Sequence, residues 1–140
     1  MTFHPRIDYR DLHRSKRQMP VDDGKPFAYT PENRERLEVI ARRYPSEPAG
    51  RRSAILPALY LVQRQLGYVS LNAVQHVAGV IGCTSAEVED VVSFYTMFHT
   101  RPVGTYVVQV CRTLPCALRG AERVTEELMV RTAELAERLD

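Results

Sequence analysis

The sequence lacks several features that would place it in a particular class of protein. No apolar run approaches the roughly twenty residues needed to cross a bilayer, and the N-terminus carries charges where a signal peptide needs an apolar stretch. We therefore expect a cytoplasmic chain without direct membrane insertion. A formal net charge of +2 over 140 residues does not indicate a nucleic-acid-binding protein.

Cysteine is scarce, with three residues in the chain: Cys83, Cys111 and Cys116. A cytoplasmic protein keeps its thiols reduced, so these residues do not predict a disulfide framework. The sequence has no G-x-G-x-x-G segment opening a strand–helix unit and no Walker-type loop, which indicates that nucleotides bind elsewhere. With no Ser/His/Asp or paired-carboxylate arrangement either, we predict no complete active site in this chain.

Hydrophobic residues make up 44% of the chain and charged residues 26%, as in an ordinary soluble globular protein. Residues 1–29 show no sustained period and predict an extended tail, which holds six Lys and Arg against four Asp. One interpretation is a solvated tail. The other is a segment that becomes ordered on a partner, because its aromatic residues and arginines suit interfaces.

Residues 30–100 predict a small helical bundle, because apolar residues recur there at helical spacing between turn signals. Polar capping residues mark four helix starts, namely Thr30 before Pro31, Ser53, Ser70, and a capping box from Thr84 to Glu87. Gly67 and Gly82 are natural helix stops. Residues 45–50 predict a turn after the first helix.

The pattern then changes. Residues 105–110 are rich in β-formers and predict a strand, and a helix is predicted from Ala121 to Leu139. Its inner apolar stripe would comprise Val124, Leu128, Leu135 and Leu139. The predicted fold class is therefore α+β.

Cys111 and Cys116 lie between that strand and that helix, in the stretch VCRTLPCALRG. Such a C-x4-C loop can fold back so that both sulfurs face one metal ion or one iron of a cluster. Pro115 stiffens the loop, Gly120 permits an unusual backbone dihedral angle, and a helix start favours negative charge. Two alternatives stay open. Cys111 can be a small buried apolar residue, or the two thiols can form a redox pair, although that chemistry normally has two intervening residues.

From about Ser53 to Gly120 the chain resembles the E subunit of the bacterial NADH–quinone oxidoreductase, complex I. The same family includes the matching subunits of NAD-linked hydrogenases and formate dehydrogenases. The segments that carry the resemblance keep their order over nearly seventy residues: LPAL at 56–59, Gln63 with GYVS at 67–70, Val88 with VSFYTMF at 92–98, Pro102 with Gly104, and VC at 110–111 with PC at 115–116 and LRG at 118–120.

The resemblance implies a helical part followed by a thioredoxin-like domain with one [2Fe–2S] cluster. Residues 101–140 would be part of that domain, and Cys111 and Cys116 match the first of the family's two ligand pairs. It further implies one-electron transfer beside a flavin-bearing subunit that oxidises NADH, in a complex peripheral to the inner membrane. Arg112 and Arg119 would moderate the cluster's negative charge, or simply be solvated.

The chain departs from the family pattern because the second pair, C-x3-C, is absent, while four thiolates are the usual shell. Cys83 is predicted to be a core or capping residue, and His76 and His99 to have packing or surface roles.

Because the predicted strand has no evident partner strand, three explanations stay open: a fragment, a missing half on a second polypeptide, or a partner that pairs with the strand after loss of the cluster. The alternative function is a cluster-free interaction or assembly subunit, a truncated or decayed paralogue.

Overall fold

The computed structural model describes residues 19–139, without the side chains of Ala136 and Leu139. The first eighteen residues of the predicted tail lie outside the described residues. The described part forms two compact units, residues 19–105 and residues 106–139. Its regular structure consists of helices: α1 Pro31–Ala41, α2 Pro48–Arg52, α3 Ile55–Leu66, α4 Leu71–Ile81, α5 Ser85–Phe94, α6 Leu114–Leu118 and α7 Ala121–Leu139.

Capping side chains position most helices of the first unit. The hydroxyls of Thr30 and Ser70 each accept a hydrogen bond from the amide three residues later, at 3.2 and 3.3 Å. Thr84 and Glu87 form the reciprocal bonds of a capping box. Such caps satisfy amide donors that have no partner inside the helix. The starts predicted at Thr30, Ser70 and Thr84 are confirmed.

The connection between α1 and α3 differs from the prediction. The short helix α2, with Pro48 in its first turn, occupies part of the predicted turn. Ser53 is the C-cap of α2, and α3 starts after Ala54, which makes no side-chain capping bond. The predicted N-cap at Ser53 is therefore wrong. A five-residue helix is too short to show an apolar period, so the sequence pattern does not reveal it.

The core of the first unit lies between α1, α3, α4 and α5. Its fully buried side chains are mostly aliphatic, and the largest are Leu37, Leu59, Val62, Val69, Val74, Val77 and Val88. Tyr29, which precedes α1, joins this core, and its hydroxyl donates to the Ala58 carbonyl oxygen at 2.9 Å. Burial raises the pKa of the Tyr29 hydroxyl, so it stays a neutral donor.

The predicted α+β fold class is wrong. The described residues are mainly helical and contain no strand or sheet. Residues 105–110, where the strand was predicted, have no regular secondary structure, and the Tyr106 side chain is 89% exposed. A strand forms only when its N–H and C=O groups pair with a neighbour. No other extended segment within residues 19–139 provides that pairing.

Helix α7 has the predicted bounds but not the predicted buried stripe. Val124 and Leu135 are 52% and 53% exposed, and Leu128 is half-buried. The Leu139 side chain lies outside the described residues. The stripe has no sheet to pack against, because its predicted partner strand does not form in the described part of the chain. The second unit therefore exposes apolar side chains along α7.

Candidate functional site

Cys111 and Cys116 both lie in the second unit, around the start of α6. Cys111 precedes this helix and is exposed, whereas Cys116 lies within it and is half-buried. The turn into α6 brings the Cys116 side chain near the Cys111 sulfur. The sequence expectation that the C-x4-C loop folds back on itself agrees with this geometry.

Thr113 completes the local environment of the Cys111 sulfur. It is the N-cap residue of α6, yet its hydroxyl does not cap the helix. Instead the Thr113 Oγ1 atom lies 3.3 Å from the Cys111 Sγ atom. Bonds from the Thr113 side chain, from its backbone amide and from Cys116 lower the pKa of the Cys111 thiol, because they favour the thiolate. Sequence reasoning missed Thr113, and its only signal was a hydroxyl residue two positions after a cysteine.

Two further residues shape the loop as expected. Pro115 lies in the first turn of α6, where a missing N–H costs least. Gly120 joins α6 to α7 with φ of +91°, a left-handed conformation that side chains disfavour. The prediction of an unusual dihedral angle at Gly120 is confirmed. Arg112 and Arg119 flank the cysteines in the sequence, and both side chains are exposed.

Cys83 and His76 have packing roles in the first unit. Cys83 packs at the edge of the core, and burial there raises the pKa of its thiol. The His76 ring stacks edge-on against Phe27 and Tyr29, with centroid separations of 5.5 and 5.3 Å. Burial lowers the pKa of His76. The His99 amide donates to the Gln63 side chain at 2.8 Å.

The donor set fits one half of a thiolate-ligated cluster. Two neighbouring cysteines suit one iron of a [2Fe–2S] centre, which normally has four thiolate ligands. Across residues 19–139, however, no three His, Cys, Asp or Glu side chains lie together as potential metal ligands. Cys111 and Cys116 are two thiols of the four that such a ligand shell needs. The described residues do not supply the other two.

Comparison with known proteins assigns the family. The profile of the thioredoxin-like [2Fe–2S] ferredoxin family matches residues 37–137, and the chain belongs to this family. Its characteristic cofactor is a [2Fe–2S] cluster, so the family indicates this cofactor for the chain.

Similar proteins are components of NADH dehydrogenases. The E subunit of the NADH-quinone oxidoreductase of Rickettsia prowazekii is 42% identical over 99 residues, covering 70% of this chain and 55% of the relative. The corresponding E subunit of Mycobacterium bovis is 41% identical over 108 residues, covering 77% and 43%. The mitochondrial NADH dehydrogenase (ubiquinone) flavoprotein 2 of Dictyostelium discoideum is 43% identical over 104 residues, covering 74% and 41%. The chain thus spans about half the length of the curated relatives it matches.

The sequence predicted a chain that does not insert directly into a membrane. Within residues 19–139, no helix combines the length and the apolar character that crossing a bilayer requires.

Proposed function

We propose that this chain is an electron-transfer subunit of an NADH-oxidising complex, with Cys111 and Cys116 as one pair of thiolate ligands to a [2Fe–2S] cluster. The observation that carries the proposal is the convergence of these two thiols at the start of α6 in a chain of the thioredoxin-like [2Fe–2S] ferredoxin family. When bound, such a cluster accepts and passes on single electrons.

The chain's own residues prepare the thiols for that role. The Thr113 hydroxyl lies 3.3 Å from the Cys111 sulfur, and this contact lowers the pKa of the Cys111 thiol. A thiolate, not a thiol, is the metal ligand, so stabilising the charged form favours binding. Arg112 and Arg119 place positive charge beside a centre that is anionic once thiolates ligate it. Exposure of Cys111 leaves the pair accessible to the cluster.

The partner in this proposal is a flavin-bearing subunit that oxidises NADH. The relatives support this partner, because their names describe them as components of NADH dehydrogenases. The 140 residues contain no recognised nucleotide-binding loop, and in this proposal another subunit supplies the electrons. The first unit, with its complete core, would provide the docking surface, and attachment to the complex would place the chain at the periphery of the membrane.

Anaerobic reconstitution with iron and sulfide tests the ligand assignment. We expect the visible absorption of a [2Fe–2S] centre and, after reduction, its paramagnetic resonance signal. Cys111→Ser and Cys116→Ser should each abolish both signals. Cys83→Ser is the matched control, because Cys83 packs at the edge of the core and its variant should load normally. Full spectra in both ligand variants would contradict the assignment.

A cluster-free interaction subunit is the second candidate. The observation that favours it is the contrast between a first unit with a complete core and a thiol pair that forms only half a ligand shell. The chain carrying both Cys111→Ser and Cys116→Ser distinguishes the candidates. A cluster-free chain that binds the flavin subunit and supports full NADH oxidation by the complex favours the interaction role. Binding without electron transfer favours the electron carrier.

A further inference from the structure

An open groove crosses the surface of the first unit between α1, α2 and α4. Its volume is about 1110 Å³, and its lining includes the core residues Leu37, Ala54 and Ile81 and the exposed side chain of Val80. Pockets for small molecules usually have volumes of roughly 300–1,000 Å³. The size and the apolar lining of this groove therefore favour an occupant larger than a small molecule.

Three arginines line the same groove. The Arg34 Nε atom lies 3.8 Å from Glu38 Oε1, and because Glu38 also lines the groove, these two charges offset each other. Arg42, at the end of α1, and Arg51, in α2, have exposed side chains and no ion-pair partner within residues 19–139. The groove therefore combines apolar surface with two positive charges that the described residues do not neutralise.

Gly79 lines the groove from the middle of α4, although the fold does not require a glycine there. Its backbone is helical, not left-handed, and nothing lies within 4 Å of the position that a Cβ atom would take. Gly50 differs, because a Cβ atom there would lie 2.5 Å from the Pro45 Cβ atom. A glycine inside a helix is less stable than an alanine. What Gly79 provides is the absence of a side chain, which lets another chain approach the groove closely.

We propose that this groove binds an acidic, amphipathic segment of a partner protein. Carboxylates of the segment pair with Arg42 and Arg51, while its apolar side chains cover Val80 and its backbone passes over Gly79. Docking of an amphipathic segment into an apolar groove is a common mode of peptide recognition. The inference rests on the proposed function in one respect only, which is the docking role of the first unit.

Other occupants fit the groove less well. The sequence of residues 1–18 contains five Lys and Arg against two Asp, so like charges would oppose its approach to this groove. A small anion would satisfy the arginines but leave the apolar lining exposed to water. A lipid surface is flat, whereas the groove is concave. An acidic segment with apolar side chains satisfies both the charges and the apolar lining.

Selection of peptides on the full chain tests the chemistry of the occupant. A library of random peptides is selected on the wild-type chain and, in parallel, on the chain with Arg42→Glu and Arg51→Glu. We expect the wild type to enrich peptides that combine Asp and Glu with apolar residues, and the charge-reversed chain to enrich Lys and Arg instead. The same peptides from both selections, or no enrichment on the wild type, would overturn the proposal.

The affinity of one selected peptide, measured by fluorescence anisotropy, locates its site. Charge reversal at Arg42 and Arg51 should weaken binding by about tenfold or more, because two attractions become repulsions. Gly79→Leu should weaken it by a similar factor, because leucine is a good helix former that fills the groove without unfolding α4. The matched controls are Arg43→Glu, beside Arg42 but outside the lining, and Ala86→Leu, at an exposed position of α5. Circular dichroism checks that every variant is folded. Equal weakening by the controls would overturn the assignment to the groove.

Two further measurements separate this inference from its rivals and from the cluster. Saturable binding of inorganic pyrophosphate, measured by calorimetry and lost on charge reversal at Arg42 and Arg51, would indicate a small-anion site and overturn the proposal. The chain with Cys111→Ser and Cys116→Ser should bind the selected peptide as tightly as wild type does. Loss of the peptide in that variant would place its site at the thiol loop and overturn the groove. Unchanged binding by a chain that cannot load iron and sulfide would support the groove whatever the outcome for the cluster.

Discussion

At the scale of single residues, two glycines of α4 have opposite requirements. Gly82 ends the helix with φ of +81°, whereas Gly79 lies within the helix and has nothing within 4 Å of its missing Cβ. Gly82→Ala should lower the free energy of unfolding by about 1 kcal/mol, because a left-handed backbone strains a side chain. Gly79→Ala should raise it by up to about 1 kcal/mol. Urea denaturation followed by circular dichroism measures both, and a shift of the same sign in the two variants would contradict this account.

Asp23 and Tyr68 form a hydrogen bond whose strength depends on pH. The Tyr68 hydroxyl donates to the Asp23 carboxylate at 2.6 Å, and this bond lowers the pKa of Asp23 below its ordinary value of 3.8. A carboxyl group whose pKa is lower in the folded than in the unfolded state makes its full contribution to the stability of the fold at pH values above its unfolded pKa. That contribution is lost as the pH falls through the folded pKa. Tyr68→Phe should therefore destabilise the chain at pH 6, and the difference from wild type should shrink below about pH 4.

Urea midpoints at several pH values between 6 and 3 measure this effect. Tyr95→Phe serves as the control, because the Tyr95 hydroxyl has no hydrogen-bond partner within the described part of the chain. A difference for Tyr68→Phe that stays constant down to pH 3 would show that Asp23 is not the group involved.

The candidate site was predictable from residues only in part. Cys111, Cys116 and Gly120 carry a spacing and a residue type with direct chemical meaning, so the sequence points to them. Thr113 acts through the direction of its hydroxyl, which faces a sulfur instead of the helix amides it precedes. A threonine before a helix first predicts an N-cap. Only the folded structure shows which of these two roles its side chain has.

At the scale of elements, the Gln63 side chain of α3 forms hydrogen bonds with the segment after α5. The Gln63 Nε2 atom donates to the Met97 carbonyl oxygen at 3.0 Å, and the His99 amide donates to Gln63 Oε1 at 2.8 Å. The His99 carbonyl oxygen in turn accepts from the Val69 amide at 2.7 Å. One amide side chain thus replaces the backbone partners that residues 97–99 lack after the helix ends.

Gln63→Ala removes both side-chain bonds, of which the one from the His99 amide is partly buried and the one to the Met97 carbonyl is exposed. We expect a loss of about 2 kcal/mol in the free energy of unfolding. Arg64→Ala, at the next and exposed position of α3, should change it by less than about 0.5 kcal/mol. Chemical denaturation of the two variants beside wild type measures both values. Equal losses would mean that the bonds of Gln63 do not explain the effect.

Local signals predicted helices better than they predicted the strand. The caps at Ser70 and Thr84 act within four residues, so the sequence contains all the information they need. A strand depends on another segment that can be far away in the chain, and residues 105–110 have the composition of a strand without such a partner. The short helix α2 was missed because it is too short to show an apolar period.

At the scale of the whole molecule, the two units differ in how completely they bury their apolar residues. The first unit has a continuous core of aliphatic and aromatic side chains. The second unit consists of the extended segment 106–110, the thiol loop and two helices, with exposed side chains at Leu114 and Leu118. Stability is therefore uneven along the chain, and the thiol pair lies in the less buried unit. A ligand or partner that binds there can order this unit more than the first.

Hydrogen exchange measures that difference along the whole chain. Without metal, the amides of residues 106–110 should exchange within seconds, because none has a hydrogen-bond acceptor among the described residues. Amides inside α3 and α4, whose inner faces are buried, should exchange far more slowly. Loading with iron and sulfide should slow exchange around residues 111–118 and leave α3 and α4 unchanged. The chain with Cys111→Ser and Cys116→Ser, treated in the same way, should show no such slowing. Slow exchange at 106–110 in the metal-free chain would mean that this segment already has a partner, and that the second unit is more complete than its described contacts indicate.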